Sequence, residues 1–244
     1  MKAIAQTLGA AAFLLAGLAP VAQAGDIFGG SALLNPAQQA QLEGWLGQGE
    51  FNLTNIYTLA SGDTSVSFHN AADAKGKTFT VMQVTNGTEH WLVGGFNPQS
   101  WETGEVWHET PLDQDRTAFV FNLTGSQVYR QIPSTYILPS QGQKQTWNSA
   151  EHGPAFGEGG DLWVTGDMQN AYSWLFTYGD PLQQGTSLID GSQPHPLPNM
   201  LHLEGMEVFA VAVVPEPAEW AMLAVGLGLT GLAARRRRQG RPSV

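Results

Sequence analysis

Residues 78–96 read Thr78-Phe79-Thr80-Val81-Met82-Gln83-Val84-Thr85-Asn86-Gly87-Thr88-Glu89-His90-Trp91-Leu92-Val93-Gly94-Gly95-Phe96. Two runs with β-branched and aromatic content, 78–85 and 90–96, flank Asn86-Gly87. Asn-Gly accepts the positive φ angles of a tight turn, so this segment predicts an antiparallel hairpin. Working outward, runs of the same kind occur at 55–60, 117–124, 162–165 and 208–214, separated by Gly, Asn and Asp. Two segments read as helical. In the first, Asn35 suits an N-cap and Pro36 the first helical position, and Leu42, Trp45 and Leu46 form one apolar face. Gly44 and Gly47 weaken its end. In the second, residues 65–72, Val66 and Asn70 fall at helical spacing. Residues 193–198, with three prolines, read as an irregular loop. The expectation is a mostly β, mostly antiparallel domain with a few helices.

Both ends differ from this middle. Met1-Lys2 precedes an apolar stretch over residues 8–18, and Ala22-Gln23-Ala24 forms a small-x-small site before Gly25. That order predicts a secretory signal peptide over residues 1–24, cut at Gly25. At the other end, Pro215-Glu216-Pro217 precedes an apolar run over 218–234, followed by Arg235-Arg236-Arg237-Arg238. A run of about 17 residues lies near the lower limit for a transmembrane helix at about 1.5 Å per residue. The arginines favour the cytoplasmic side, which puts everything before Pro215 across the membrane. The order resembles the PEP-CTERM sorting signal of Gram-negative bacteria, spanning 215–241 here. The resemblance implies an exosortase that recognises Pro215, Glu216 and Pro217, transient anchoring in the inner membrane and release to the outer surface or the extracellular matrix.

Charge and composition restrict the chemistry. Of the eleven Lys and Arg, Lys2, Arg235, Arg236, Arg237, Arg238 and Arg241 lie in the two ends, whereas only Glu216 and Glu219 of the 21 acids do. The middle is therefore more acidic than the whole-chain charge of −10. Such a domain is not expected to bind nucleic acid or an anionic membrane through a basic patch. The absence of cysteine excludes thiol redox catalysis and disulfides.

Short motifs do not select a reaction. Gly157-Glu158-Gly159-Gly160 would need glycine in place of Leu162 to match a dinucleotide fingerprint, and reads as a tight turn before a strand. Gly76-Lys77-Thr78 would need glycine at Ala71 to end a P-loop. His108-Glu109 lacks the second histidine of a zinc-protease helix, and Asp113-Gln114-Asp115 lacks the rest of a calcium loop. His69, His90, His108, His152, His195 and His202 show no ligand spacing, so any metal site would have to be assembled by the fold. No catalytic residue and no cofactor is expected.

Seven tryptophans precede the tail. Trp91, Trp101 and Trp163 lie in strand-like segments and read as core. Trp107 and Trp147 are flanked by Glu, His, Asn and Gln and are the better candidates for exposed aromatic contacts. The sequons at Asn52, Asn86 and Asn122 read as chance occurrences.

Eight segments in order resemble the TLDc domain. They are the Asn35-Pro36 helix, Asn55-Ile56-Tyr57-Thr58-Leu59-Ala60, Ser67-Phe68-His69-Asn70, and Lys75-Gly76-Lys77-Thr78 through Val81. Val93-Gly94-Gly95-Phe96 to Trp101, residues 115–124, Gly153-Pro154-Ala155-Phe156-Gly157-Glu158-Gly159-Gly160-Asp161-Leu162 and residues 204–209 complete the set. The resemblance spans 31–214 and implies a sandwich of two antiparallel sheets with flanking helices. The family is associated with oxidation resistance and, in eukaryotes, with binding the vacuolar proton pump, and has no established catalytic residues. The pump-binding role does not transfer to an exported chain. The functional expectation is a non-catalytic binding or structural module at the cell surface or in a biofilm matrix, with an envelope protein or exopolysaccharide as partner. Signal peptidase and exosortase would act during processing. Alternatives are a hydrolase acting on surface glycan or peptide, and protection against oxidants.

Overall fold

The computed structural model describes residues 25–136, 138–193 and 199–214. The signal segment with Ala22 and Ala24, His195, the Pro215-Glu216-Pro217 motif, the apolar run 218–234 and Arg235 to Arg238 lie outside the described residues.

Twelve strands and two α-helices are present among the described residues. In chain order they are β1 (Ile27–Phe28), α1 (Pro36–Leu46), β2 (Phe51–Thr58), α2 (Ser65–Ala72), β3 (Thr78–Thr85), β4 (His90–Asn97), β5 (Gly104–Glu109), β6 (Phe119–Asn122), β7 (Gln127–Arg130), β8 (Lys144–Ser149), β9 (Ala155–Phe156), β10 (Leu162–Val164), β11 (Asn170–Tyr172) and β12 (Leu201–Val213). The fold is mostly β, as the sequence predicts, and among the strand pairs of the described residues only the short β1–β2 pair is parallel. The β3–β4 hairpin forms in unbroken register from Thr78 opposite Asn97 to Thr85 opposite His90. Its turn uses Gly87 at φ 91°, and Asn86 Oδ1 accepts the backbone N–H groups of Thr88 and Glu89. Helix α1 begins where expected. Asn35 accepts from the Gln38 N–H while the Gln38 side chain accepts from the Asn35 N–H, a reciprocal cap that satisfies two otherwise unpaired donors.

The strands run in the order β5-β8-β9-β10-β11-β12-β3-β4-β6-β7, with β2 on the other edge of β12. The two antiparallel layers are stretches of one open network joined through β12. β12 pairs with β3 from His202 to Ala210, and its first two residues, Leu201 and His202, also pair with β11. A register shift between Leu203 and Gly205 interrupts the β12–β3 ladder close to the residues that hold β11. Phe156, Leu162, Val164 and Ala171 of β9, β10 and β11 pack over the face of β3, β4 and β6 that carries Met82, Val93 and Val120.

Side-chain alternation gives the β3–β4–β6 stretch an apolar residue on both faces. Phe79, Val81, Phe96, Phe119 and Phe121 point to one side, with Phe51 and Leu53 of β2 and Leu42 of α1. Phe79 is the hub, with ring centroids 5.0 Å from Phe96, 5.3 Å from Phe51 and 5.9 Å from Phe119. Met82, Val84, Val93 and Val120 point to the other side, toward Phe156, Leu162 and Val164 of the second layer and Phe68 of α2. Each such side chain contributes about 1.5–3 kcal/mol by leaving water.

Close approach of the layers depends on Gly95, and Gly94 leaves room on the other face beside Thr80 and Phe121. A Cβ at Gly95 would lie 2.5 Å from the Phe156 ring, and one at Gly94 would lie 2.0 Å from Thr80 O on the opposite side. Trp101 seals the same region. It is 1% exposed, donates its indole N–H to Thr78 Oγ1 at 3.0 Å and meets Phe156 edge-on at 5.3 Å.

Gly95→Ala is expected to lower the unfolding free energy by about 1–3 kcal/mol through overpacking, read from the shift in the urea midpoint. Phe79→Ala is expected to cost about 3–5 kcal/mol, since it empties the centre of the aromatic cluster, and the same titration reads it.

Candidate functional site

The structure places the two singled-out tryptophans directly opposite each other, Trp107 on β5 and Trp147 on β8. Their ring centroids are 5.0 Å apart, inclined by 49°, and the Lys144 ammonium sits 5.3 Å from the Trp107 centroid. Both are half-buried. Strand β5 ends the network, and its register shifts at Gly104/Val106 and His108/Glu109 interrupt regular pairing along this end strand.

The histidines disperse. His69 is buried in α2, with Nδ1 2.7 Å from Asp73 and Nε2 2.9 Å from Ser149 O. His90 pairs with Glu204, His108 pairs with Glu102, and His152 packs edge-on against Trp163. No group of three or more metal-ligating side chains forms among the described residues. Asp113, on a short 3-10 turn, accepts the N–H and hydroxyl of Ser134 and pairs with Arg116. Those contacts, the Ser134 N–H first, hold its carboxyl below the ordinary range. Gly157-Glu158-Gly159-Gly160 is the tight turn anticipated from sequence. Gly157 at φ 75° passes so close to Asp161 that a Cβ there would lie 1.9 Å from its carboxylate.

A groove of about 540 Å³ opens beside β7, at the rim of the core between the layers. It lies within the range of small-ligand sites, about 300–1,000 Å³. Trp91 of β4 and Tyr129 of β7 supply aromatic surface on one side, and residues 182–193 form the other wall. Trp91 is half-buried: it packs against the core cluster and also lines the groove, a position that the expectation of a core tryptophan describes only in part. The Gly/Ser/Gln-rich composition of 182–193 is the local signal that marks this wall as a loop.

Buried polar groups hold the loop wall in place. Asn122 is 4% exposed; its amide donates to Leu188 O at 3.0 Å and Ile189 O at 2.9 Å and accepts from the Gly125 N–H. Both amide hydrogens are committed, so this sequon is not presented for modification in the folded chain. Ser173 Oγ donates to Asp161 O and accepts from the Leu188 N–H. The fully buried Asp161 carboxylate accepts the N–H groups of Phe176, Thr177 and Tyr178. Burial pushes its pKa up to about 7 against those hydrogen bonds. Asp190 behaves differently: burial would raise its pKa, but hydrogen bonds from Ser192 and Ser187 outweigh that effect and hold it below the usual range.

Several groove side chains retain unused hydrogen-bonding capacity among the described residues. The Trp91 indole N–H, the Gln127 amide N–H groups and the Gln183 side-chain amide have no partner there. Asp190 is the one carboxylate among the described lining residues, and none of them is Lys, Arg or His. No family model matches the chain, and no curated protein matches it.

Asp161 links the loop wall to pH. Its folded-state pKa of about 7 lies above the ordinary aspartate value of 3.8, so folding takes up a proton at this residue. The associated stabilisation is complete below pH 3.8 and is lost as pH rises through about 7. The stability difference between wild type and Asp161→Asn is expected to shrink steadily from pH 4 to pH 8, measured by urea unfolding at each pH. Asn122→Ala is expected to cost about 1–3 kcal/mol by leaving two buried carbonyls unpaired, with faster amide exchange over residues 187–191.

Proposed function

We propose that this chain is an exported, exosortase-sorted domain of TLDc type that serves as a non-catalytic binding module at the cell surface or in the extracellular matrix. The structural observation that carries the binding role is the groove beside β7. It is concave, its wall is held by Asn122, Ser173 and Asp161, and it presents polar groups left over after those internal bonds are made. A wall held in this way loses little conformational freedom when a ligand enters, which favours binding. The carboxylates and histidines described above are largely engaged in structural pairs: His69 with Asp73, His90 with Glu204, His108 with Glu102, and Asp113 with Arg116.

Delivery in this reading rests on residues 1–24 and 215–241. The signal segment would be removed before Gly25, and the Pro215-Glu216-Pro217 motif would be processed while the apolar run 218–234 and Arg235 to Arg238 hold the chain in the inner membrane. TLDc-type partners known from the cytoplasm have no counterpart on this route, so the partner belongs to the envelope or the matrix.

The localisation arm of the proposal is tested by expressing tagged wild type and a variant lacking residues 215–244 in the host, then fractionating the cells. Wild type is expected at the outer surface or in the medium, and the truncated chain is expected to remain in the periplasm. Equal surface delivery of both would overturn the sorting role of the tail.

A further inference from the structure

The geometry points to a neutral saccharide chain as the ligand of the groove beside β7, an inference that rests on the binding-module reading and specifies its ligand. The lining carries a consistent chemistry. Trp91 and Tyr129 offer aromatic surface against which the C–H face of a sugar ring packs. The amides of Gln127 and Gln183, together with Gln193 at the far end, offer donors and acceptors matched to vicinal hydroxyls. Tyr129 donates its hydroxyl to Gln127 Oε1 at 3.0 Å, a bond that does not use the Gln127 amide hydrogens and leaves them as donors.

Charge narrows the ligand class further. An anionic polymer would meet Asp190, held ionised by Ser192 and Ser187, with no cationic side chain among the described lining residues to offset it. A divalent cation would find one carboxylate where several oxygen ligands are needed. A neutral sugar has polar hydroxyls for the amides and an apolar face for the rings, and uses Asp190 as a hydrogen-bond acceptor. The groove differs in this respect from the Trp107–Trp147 pair on β5 and β8, where Lys144 sits over one ring and pairs with Glu158.

The test is affinity electrophoresis of the processed protein, purified from its host, through gels containing dextran, galactomannan, alginate or the neutral fraction of the host's own extracellular polysaccharide. Wild type, Gln183→Ala, Gln127→Ala and Trp107→Ala are compared, each with circular dichroism and a melting curve to establish that it is folded. The expected result is retardation by at least one neutral polymer and not by alginate. Affinity should fall about tenfold in the two glutamine variants, the size usual for truncating a residue that contributes to binding, and stay unchanged in Trp107→Ala. Retardation by no neutral polymer, equal retardation by alginate, or loss confined to Trp107→Ala would each overturn the inference. An envelope protein crosslinked into the groove would also overturn it, while leaving the broader binding-module reading intact. The failure of that broader reading has its own signature: no envelope or extracellular component crosslinks to the wild-type protein above the level of an unrelated acidic domain.

Discussion

Strand β12 is shared between the two layers, and the rest of the structure depends on that sharing. Its residues 207–213 pair with β2 along one edge, its residues 202–210 pair with β3 along the other, and its first two residues also hold β11. A strand paired on both edges satisfies its backbone internally, so the sheet around it can be covered on both faces. The covering follows: α1 and the phenylalanine cluster lie on one side, and β9, β10 and α2 lie on the other. Glu207 sits in the middle of this strand at 2% exposure. It accepts from Ser31 Oγ and from the Ala32 N–H, which ties the chain before α1 to the strand formed last in sequence.

The groove inherits its shape from this arrangement. The second layer starts from the Leu201–His202 end of β12, and Asp161 follows the glycine-rich turn that connects β9 to β10. From Asp161 the connection runs through Ser173 to Leu188, and from Leu188 O to Asn122 at the end of β6. Both layers therefore contribute to one loop wall. The site lies where they diverge at the rim, and the Trp107–Trp147 pair belongs to the opposite end of the network.

Much of the fold was legible in the sequence. The hairpin around Asn86-Gly87, the Asn35 cap and the short helix over 65–72 are local features, set by turn geometry, capping and spacing within a few residues. Strand β8 left no such trace. Its buried residues Gln145, Thr146, Asn148 and Ser149 are all polar, so apolar alternation is missing although the strand is internal. The candidate site was less legible. Trp107 and Trp147 stood out because polar neighbours surround them in sequence, yet each is half-covered by the other. Tyr129 had no such contrast, since Trp91 and the loop wall over 182–193, which complete the groove, lie far from it in sequence.

By itself the sequence determined the mostly β character, the position of the Asn35 cap and the main hairpin, and the acidic, cysteine-free composition that narrows the chemistry. These follow from backbone preferences and charge, which act within a segment or depend on composition alone. Only the tertiary structure decided that β12 would join the two layers and that Trp91, Tyr129, Gln127 and Gln183 would line one groove. Those outcomes depend on long-range register and on which faces must be covered, and neither is encoded by any one stretch of residues.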